Sequence, residues 1–365
     1  MLILAWIWGW NKIQSDSQPV KAEVHTSVSI LIPARNEEIL LPATLKAIIA
    51  QNYPKHLYEV IVIDDHSMDN TAEIARSFSQ DGVKLISLKN IKLGNSYKKM
   101  AIQRGIEAAQ GHLIVCTDAD VEMGPNWLRT LVNFYEEKGW TMLSAPVAYF
   151  RESSFFERCQ SLEFILLNAI GAANFGLNKV GSCNGANLAY EKKAFLEVNG
   201  FEGIDHLASG DDELLLHKMA AHFHGRQGYV RDPEAIVYTY AKPNWKEFIQ
   251  QRKRWASKST SYQAKWMKYS AFWIWVFNLN LALLLVLGVG LLNSGNTAFL
   301  QIFCIQFALK AFMEGFFIYS PLSFFKRTKL LLLEPLLSFC HIFYLVYIGL
   351  AGNNAAYHWK GRTVK

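Results

Sequence analysis

Acidic side chains recur directly behind short apolar runs in this chain. Asp64-Asp65 follows Val60–Ile63, and Thr117-Asp118-Ala119-Asp120 follows Leu113–Cys116. Behind Val28–Ile32 comes Pro33-Ala34-Arg35-Asn36-Glu37-Glu38. Two aspartates at i, i+2 past a strand end can approach one divalent cation from adjacent positions. Hard oxygen ligands suit Mg²⁺ or Mn²⁺, and such a cation neutralises a diphosphate. A lone DxD occurs by chance as solvated turn aspartates. Preceded by VIVIDDHSMDNT, and by Lys98 ahead of a helical pattern, it points to a diphosphate site. Two further groups complete the set, Asp211-Asp212-Glu213 and Gln251-Arg252-Lys253-Arg254-Trp255. Gln251, Arg254 and Trp255 stand at i, i+3, i+4, so one helix face can present all three.

These residues need strand ends that converge. Val28–Ile32, Val60–Ile63, Val83–Leu88 and Leu113–Cys116 are short, apolar and β-branched, as buried parallel strands are. Helical patterns separate them: Pro42–Gln51, with proline at its first position, Thr71–Ser79 and Lys98–Gln110. The alternation predicts an α/β fold with a mostly parallel central sheet and right-handed crossovers. Ligands of such sheets bind beyond the carboxyl ends of the strands.

Residues 28–260 resemble a family-two glycosyltransferase of the GT-A fold. The resemblance rests on IPARNEE, VIVIDDHSMDNT, Lys98-Lys99-Met100-Ala101, TDAD, GANLAY, GDDELLL and QRKRW, in this order and at fitting spacing. It implies a nucleotide-diphospho-sugar donor, with a UDP-hexose expected, and an inverting transfer. On the family's pattern Asp64 and Asp65 contact the nucleobase, while Pro33, Arg35 and Glu37 line the nucleoside end. Lys98 lies near base and phosphates. Asp118 serves the ribose and sugar side and assists Asp120, the expected ligand of Mg²⁺ or Mn²⁺. Gly185 and Asn187, either side of Ala186, correspond to the segment beneath the acceptor. Placing Leu215 on the motif's leucine makes Asp212 the general base, and an offset alignment with Gly210 in the glutamate position gives Asp211. A carboxylate here is also accounted for as a charge stabilised at a helix N-terminus. Gln251, Arg254 and Trp255 match the QxxRW motif, with Arg254 on the diphosphate and Trp255 flooring the acceptor.

Composition adds the membrane. Of 365 residues, 51% are hydrophobic and only 19% charged, which excludes a fully soluble enzyme, a disordered chain and a disulfide-stapled module. The five cysteines are scattered with no CxxC, so neither zinc nor a disulfide framework is indicated. Phe272–Leu292, Thr297–Tyr319 and Leu330–Ala351 are each about as long as a bilayer crossing requires. Lys310 and Glu314, at i, i+4 in the middle stretch, either neutralise each other or meet a polar lipid head. Much of the net charge of +6 flanks these stretches, which suits an anionic membrane surface rather than nucleic acid.

The expected organisation is a short apolar segment at 1–10, a GT-A domain at 24–262, a region of about three spans at 271–352 and a basic tail at 353–365. Residues 1–10 read either as the end of an anchor with a Trp-rich edge or as a chain started late. The catalytic domain is expected on the cytoplasmic side. Three spans then put Lys326–Lys329 inside but leave the tail outside, so either one stretch is re-entrant or interfacial, or the tail breaks the positive-inside rule. Helix 155–176 reads as half-buried on the lipid surface, forming an acceptor entrance, or as core. His217, His222 and His224 are expected at the surface or interface. On Gln251–Trp255, Arg252, with Lys246 and Lys258, is compatible with a helix face on the membrane.

The expected acceptor is a membrane lipid or other hydrophobic molecule. The closing Trp359-Lys360-Gly361-Arg362 resembles the tail of single-transfer enzymes such as ceramide- and carotenoid-type glucosyltransferases, and equally an interfacial anchor. The alternatives are a processive polysaccharide synthase working with partner subunits, and a catalytically idle scaffold.

Overall fold

The computed structural model describes residues 1–13, 24–91, 96–207, 209–257, 264–351, 357–359 and 362–364. Lys258 and, within the closing tetrapeptide, Lys360 and Gly361 lie outside them.

The chain opens with helix α1 (Leu2–Lys12). Four parallel strands follow, β1 (Val28–Ala34), β2 (Tyr58–Asp64), β3 (Val83–Ser87) and β4 (Leu113–Cys116). Helices α2 (Leu41–Ile49), α3 (Thr71–Ser77) and α4 (Tyr97–Ala108) lie between them, close to the predicted limits. After β5 (Glu122–Met123) and α5 (Trp127–Lys138) come β6 (Met142–Ser144) and β7 (Val147–Tyr149), then the long α6 (Phe155–Gly176). Next are β8 (Leu188–Glu191), α7 (Lys192–Glu197), α8 (Glu213–His222), β9 (Gln227–Tyr229), β10 (Val237–Thr239) and α9 (Trp245–Ser257).

The main sheet has the order β3-β2-β1-β4-β8-β6-β9, with β8 antiparallel to both β4 and β6. A small sheet, β5-β10-β7, stands beside it. Strand side chains alternate between two cores: Ile30, Ile32, Val60 and Val62 face one, Leu31, Ile61 and Ile63 the other. Burial on both faces is why these runs are continuously apolar.

Three helices close the fold, α10 (Lys265–Gly290), α11 (Ala298–Phe324) and α12 (Glu334–Ala351). Each, with α12 taken from Thr328 to Leu350, is long and apolar enough to cross a membrane. In the middle one, Lys310 Nζ lies 2.7 Å from Glu314 Oε2 and 2.7 Å from Ser338 Oγ of α12, so the pair is neutralised within α11 and bonded to α12 through Ser338.

α6 is half-buried: Glu163, Phe164, Ala169, Ala172 and Ala173 are among its buried residues and α1 and α11 pack on it, while Leu167 is exposed. Small residues make the α1–α6 approach so close that a Cβ on Gly9 would overlap the Ala173 carbonyl, and one on Gly176 the Gly9 carbonyl. α1 is therefore an integral part of the helical assembly. Trp10 Nε1 donates to Ser320 Oγ of α11 at 3.0 Å, and Arg231 Nη1 donates to the Trp10 carbonyl at 2.9 Å. His217, expected at the surface, is buried at 4% exposure because it faces inward from α8.

The path of α12 bears on the topology. Phe325 and Leu330, just before it, pack with Ala148, Leu162 and Ile236 of the α/β domain. Further along, Tyr344 meets Phe248 of α9 at 5.7 Å between ring centroids, and Lys253 lies over the Tyr347 ring. A short hairpin follows, β11 (Tyr357–Trp359) with β12 (Arg362–Val364), and β11 runs beside α9. α12 thus packs mainly on α10 and α11 and touches the α/β domain through a few side chains.

Candidate active site

The loop after β1 and the loop after β2 are laced together. Arg35 Nη1 donates to the carbonyls of Asp65 and His66, both at 2.8 Å. The Asn36 amide donates to Ser67 Oγ, the Met68 amide to Asn36 Oδ1, and the Glu37 amide to Thr71 Oγ1. His66, at a left-handed φ of 56°, turns its ring so that Nδ1 meets Asp65 Oδ1 at 3.0 Å and Nε2 meets the Ile91 carbonyl at 3.1 Å. Consecutive residues leaving a strand point to opposite sides. Asp65 accordingly lines the cavity, whereas Asp64, 3% exposed, accepts from the Ser67 amide and braces the turn.

Lys98 projects from the first turn of α4 to the carboxylates. Its Nζ lies 2.7 Å from Asp118 Oδ1 and 3.3 Å from Asp211 Oδ2. Burial alone would lower its pKa, but Asp118, Asp211 and Asp212 outweigh burial and hold it above the usual lysine value. The neighbouring Lys99, 2% exposed, donates to the carbonyls of Ile204, Leu207 and Ser209 and so fixes the segment leading into Asp211. Gly210 turns that segment with φ +86°. A side chain there would be strained, and its Cβ would sit 2.7 Å from Leu214.

Asp212 caps α8. Its Oδ1 accepts from the Glu213 amide at 2.7 Å, and its Oδ2 from the Gly185 amide at 3.2 Å. Gly185 presses on the acidic pair: a Cβ there would come 3.2 Å from Asp211 Oδ2 and 3.4 Å from Lys98 Nζ. Asn187 behaves differently. It is fully buried, donates to the Pro146 and Ala235 carbonyls at 2.8 Å and accepts from Trp127 Nε1 at 3.0 Å. It is a strut behind the site and does not line it.

From α9, Gln251, Arg254 and Trp255 face the cavity as the spacing predicts. Trp255 stacks on Phe164 of α6, centroids 5.9 Å apart, and Phe164 stacks on Tyr149 at 4.3 Å. Arg252 is not on a membrane-facing surface. It is 3% exposed, and its Nη2 lies 2.6 Å from Glu163 Oε2.

One cavity of about 770 Å³ gathers Pro33, Arg35, Glu37, Asp65, Lys98, Asp118, Asp120, Gly185, Asp211, Asp212, Gln251, Arg254 and Trp255. The same cavity is also lined by Trp6 of α1, Leu167, Asn168, Ile170 and Asn174 of α6, and Trp266, Met267, Ser270, Ala271 and Ile274 of α10. Met267, Ala271 and Ile274 recur at i, i+4, i+7, one face of that helix's first turns. Sequence reasoning missed Tyr149, Trp6 and this face; the spacing of 267, 271 and 274 was the available signal. Asp118 and Asp120 fit a divalent cation that has substrate phosphates and water as its remaining ligands, as Mg²⁺ commonly does. Among the described residues no cluster of three or more His, Cys, Asp or Glu could hold a metal by itself.

Residues 29–198 match the family model described as glycosyl transferase family 2. The chain is similar to a probable glycosyltransferase, YdaM, of Bacillus subtilis, 28% identical over 63% of this chain and 54% of the relative. It is also similar to the 4,4'-diaponeurosporenoate glycosyltransferase of Staphylococcus aureus, 33% identical over 44% of this chain and 41% of that one. The chain thus spans about half the length of the curated relatives it matches. Among solved structures, the mannosyltransferase PcManGT of Pyrobaculum calidifontis superposes with a TM-score of 0.60 at 17% identity, over 94% of this chain and 95% of the other. That likeness is one of fold, and it agrees with the GT-A architecture expected from the motifs.

Proposed function

We propose, because residues 29–198 match the family model described as glycosyl transferase family 2, that the protein moves one hexose from a nucleotide-diphospho-sugar, a UDP-hexose being the expected donor, to a hydroxyl of a membrane lipid, with inversion. The observation that carries this reading is the continuity of the cavity. Carboxylates and Lys98 line it together with the first turns of an apolar helix long enough to cross a membrane. A donor can lie at the strand ends while an acceptor enters from the bilayer with its chain along Met267, Ala271 and Ile274. A relative named for glycosylating 4,4'-diaponeurosporenoate agrees with an acceptor of low polarity.

In the proposed reaction the acceptor oxygen attacks the anomeric carbon as the bond from that carbon to the diphosphate oxygen breaks. The hydroxyl proton passes to Asp212, and the nucleoside diphosphate leaves. We assign the base to Asp212 on the motif's register, and two backbone amides fix where its carboxylate stands. Asp211 pairs with Lys98 at 3.3 Å. Arg35 and Asp65 build the nucleoside end, Arg254 faces the diphosphate, and Trp255 forms the acceptor floor. Asp120 with Asp118 would hold Mg²⁺ or Mn²⁺, which when bound neutralises the diphosphate.

The cytoplasmic side is proposed for the catalytic domain. Arg327, in the basic loop between α11 and α12, pairs with Glu152 of that domain, so loop and domain share a side. Basic loops mark the cytoplasmic side.

The test is a pair of variants in membranes. Asp120→Ala and Asp212→Asn should each abolish transfer while membrane insertion survives, and Asp120→Ala should weaken Mn²⁺-dependent UDP binding. Retention of most activity by either variant contradicts the role assigned to that residue.

A further inference from the structure

Glu163 and Arg252 are charged, buried and absent from the cavity wall. Glu163 is 5% exposed and Arg252 3%, their closest atoms are 2.6 Å apart, and neither is among the residues lining the site. A buried ion pair is weak evidence for stability, because apolar residues of similar volume often do as well. What it does supply is a fixed geometry, and this pair stands directly behind the aromatic floor.

The Arg252 guanidinium carbon lies 4.3 Å from the centroid of the Trp255 ring and 4.7 Å from that of Phe248. Arg252 Nη1 also donates to Gln251 Oε1 at 3.4 Å, and Tyr149 donates to the same oxygen at 3.4 Å. Glu163 and Phe164 are consecutive on α6. The first holds Arg252, and the second stacks on Trp255. Two adjacent residues of one helix thus grip the QxxRW helix at two points. The grip extends to α12, where His341 Nε2 lies 4.0 Å from Glu163 Oε1 and the Tyr344 hydroxyl interacts with both Glu163 and Arg252.

We propose that Glu163 is a positioning residue for the acceptor floor, acting through Arg252 to set the face that Trp255 turns to the cavity, with His341 and Tyr344 of α12 as its backstop. That Trp255 meets an acceptor rests on the function proposed above; that Glu163 sets Trp255 does not. The role differs from a structural one in what it moves. Loss of the carboxylate leaves the Arg252 charge buried without its counter-ion, which drives the guanidinium towards water and away from the Trp255 ring.

The experiment compares wild type, Glu163→Gln and the double variant Glu163→Met/Arg252→Met in detergent. Residue-resolved hydroxyl-radical footprinting reads Trp255 directly and without substrate, with Trp127 as a buried internal standard. Initial rates with UDP-glucose and a dispersed membrane-lipid extract give apparent KM values for donor and extract. In both variants Trp255 labelling should change several-fold while Trp127 stays constant. The apparent KM for the extract should rise about tenfold, with donor KM within twofold. The double variant should recover the thermal stability that Glu163→Gln loses, but not the extract KM. Unchanged Trp255 labelling in Glu163→Gln overturns the proposal, as does recovery of the KM together with stability in the double variant. Altered labelling in a protein whose wild type modifies no lipid leaves Glu163 as the positioning residue and removes the acceptor reading.

Discussion

Lys98 Nζ lies 2.7 Å from Asp118 Oδ1, so the head of α4 is tied to the loop that leaves β4. The same ammonium reaches Asp211 and feels Asp212, which makes it the charge that lets three carboxylates share one cavity. Its pKa is held above the usual 10.5, so its stabilising effect is complete below that value and is lost only as pH rises through the higher folded value. Across the neutral range Lys98 is a fixed cation.

Removing that cation should act on the acid side of the pH–rate profile. In Lys98→Met the clustered carboxylates repel one another and take up protons more readily. The acid limb of kcat/KM should move to higher pH, with a loss of about 10²-fold or more at neutral pH. Lys98→Arg should keep the limb near its wild-type position. A Lys98→Met profile with an unmoved acid limb would show that the lysine does not govern those carboxylates.

Asp211 and Asp212 separate by variant kinetics. With Asp212 as base, Asp212→Asn should lower kcat by about 10²–10⁴-fold with UDP affinity nearly unchanged. Asp211→Asn should cost less in kcat and act mainly through Lys98, which loses one of its partners. The reverse ranking would assign the base to Asp211.

Asn187 should behave as a structural residue. Asn187→Ala removes two donated bonds and the acceptor of Trp127 Nε1, so Trp127 Nε1 and the Ala235 carbonyl lose these partners while the Pro146 carbonyl keeps the Val237 amide. A destabilisation of about 2–5 kcal/mol is expected, read as a fall in melting temperature, with donor KM near wild type in the protein that remains folded. A fully stable variant with impaired acceptor use would return Asn187 to the acceptor site.

The path of α12 predicts where the basic tail lies. Because Phe325 and Leu330 before α12, Tyr344 and Tyr347 within it and β11 beyond it all adjoin the α/β domain, we propose the interfacial alternative for this segment. A reporter fused after Lys365 and one inserted at the Lys326–Lys329 loop should report the same side of the membrane. Opposite sides would make α12 a full crossing.

The parallel half of the sheet was legible because strands buried on both faces must be continuously apolar, as Val60–Ile63 is. That Asp65, Asp118 and Asp120 line one cavity was legible because all three stand at strand exits. The fate of Asp64 against Asp65 was not, since which of two consecutive side chains faces a cavity depends on the turn that follows, here fixed by His66 and Ser67. Arg252 beside QxxRW looked like a surface cation because a helix pattern does not distinguish water, lipid and protein on its second face. Only the packing of α6 places Glu163 against it. The role of α1 was equally hidden, because eleven residues too short to cross a bilayer become informative only when Gly9 meets Ala173 and Gly176.

The most direct measurement takes purified protein in detergent with Mn²⁺, a panel of UDP-sugars and a membrane-lipid extract. Released UDP is assayed alongside mass spectrometry of the extract. The account predicts one lipid class heavier by a single hexose, in step with UDP release from one donor. A ladder of hexose increments, or UDP release that depends on a water-soluble acceptor while every lipid keeps its mass, would contradict it.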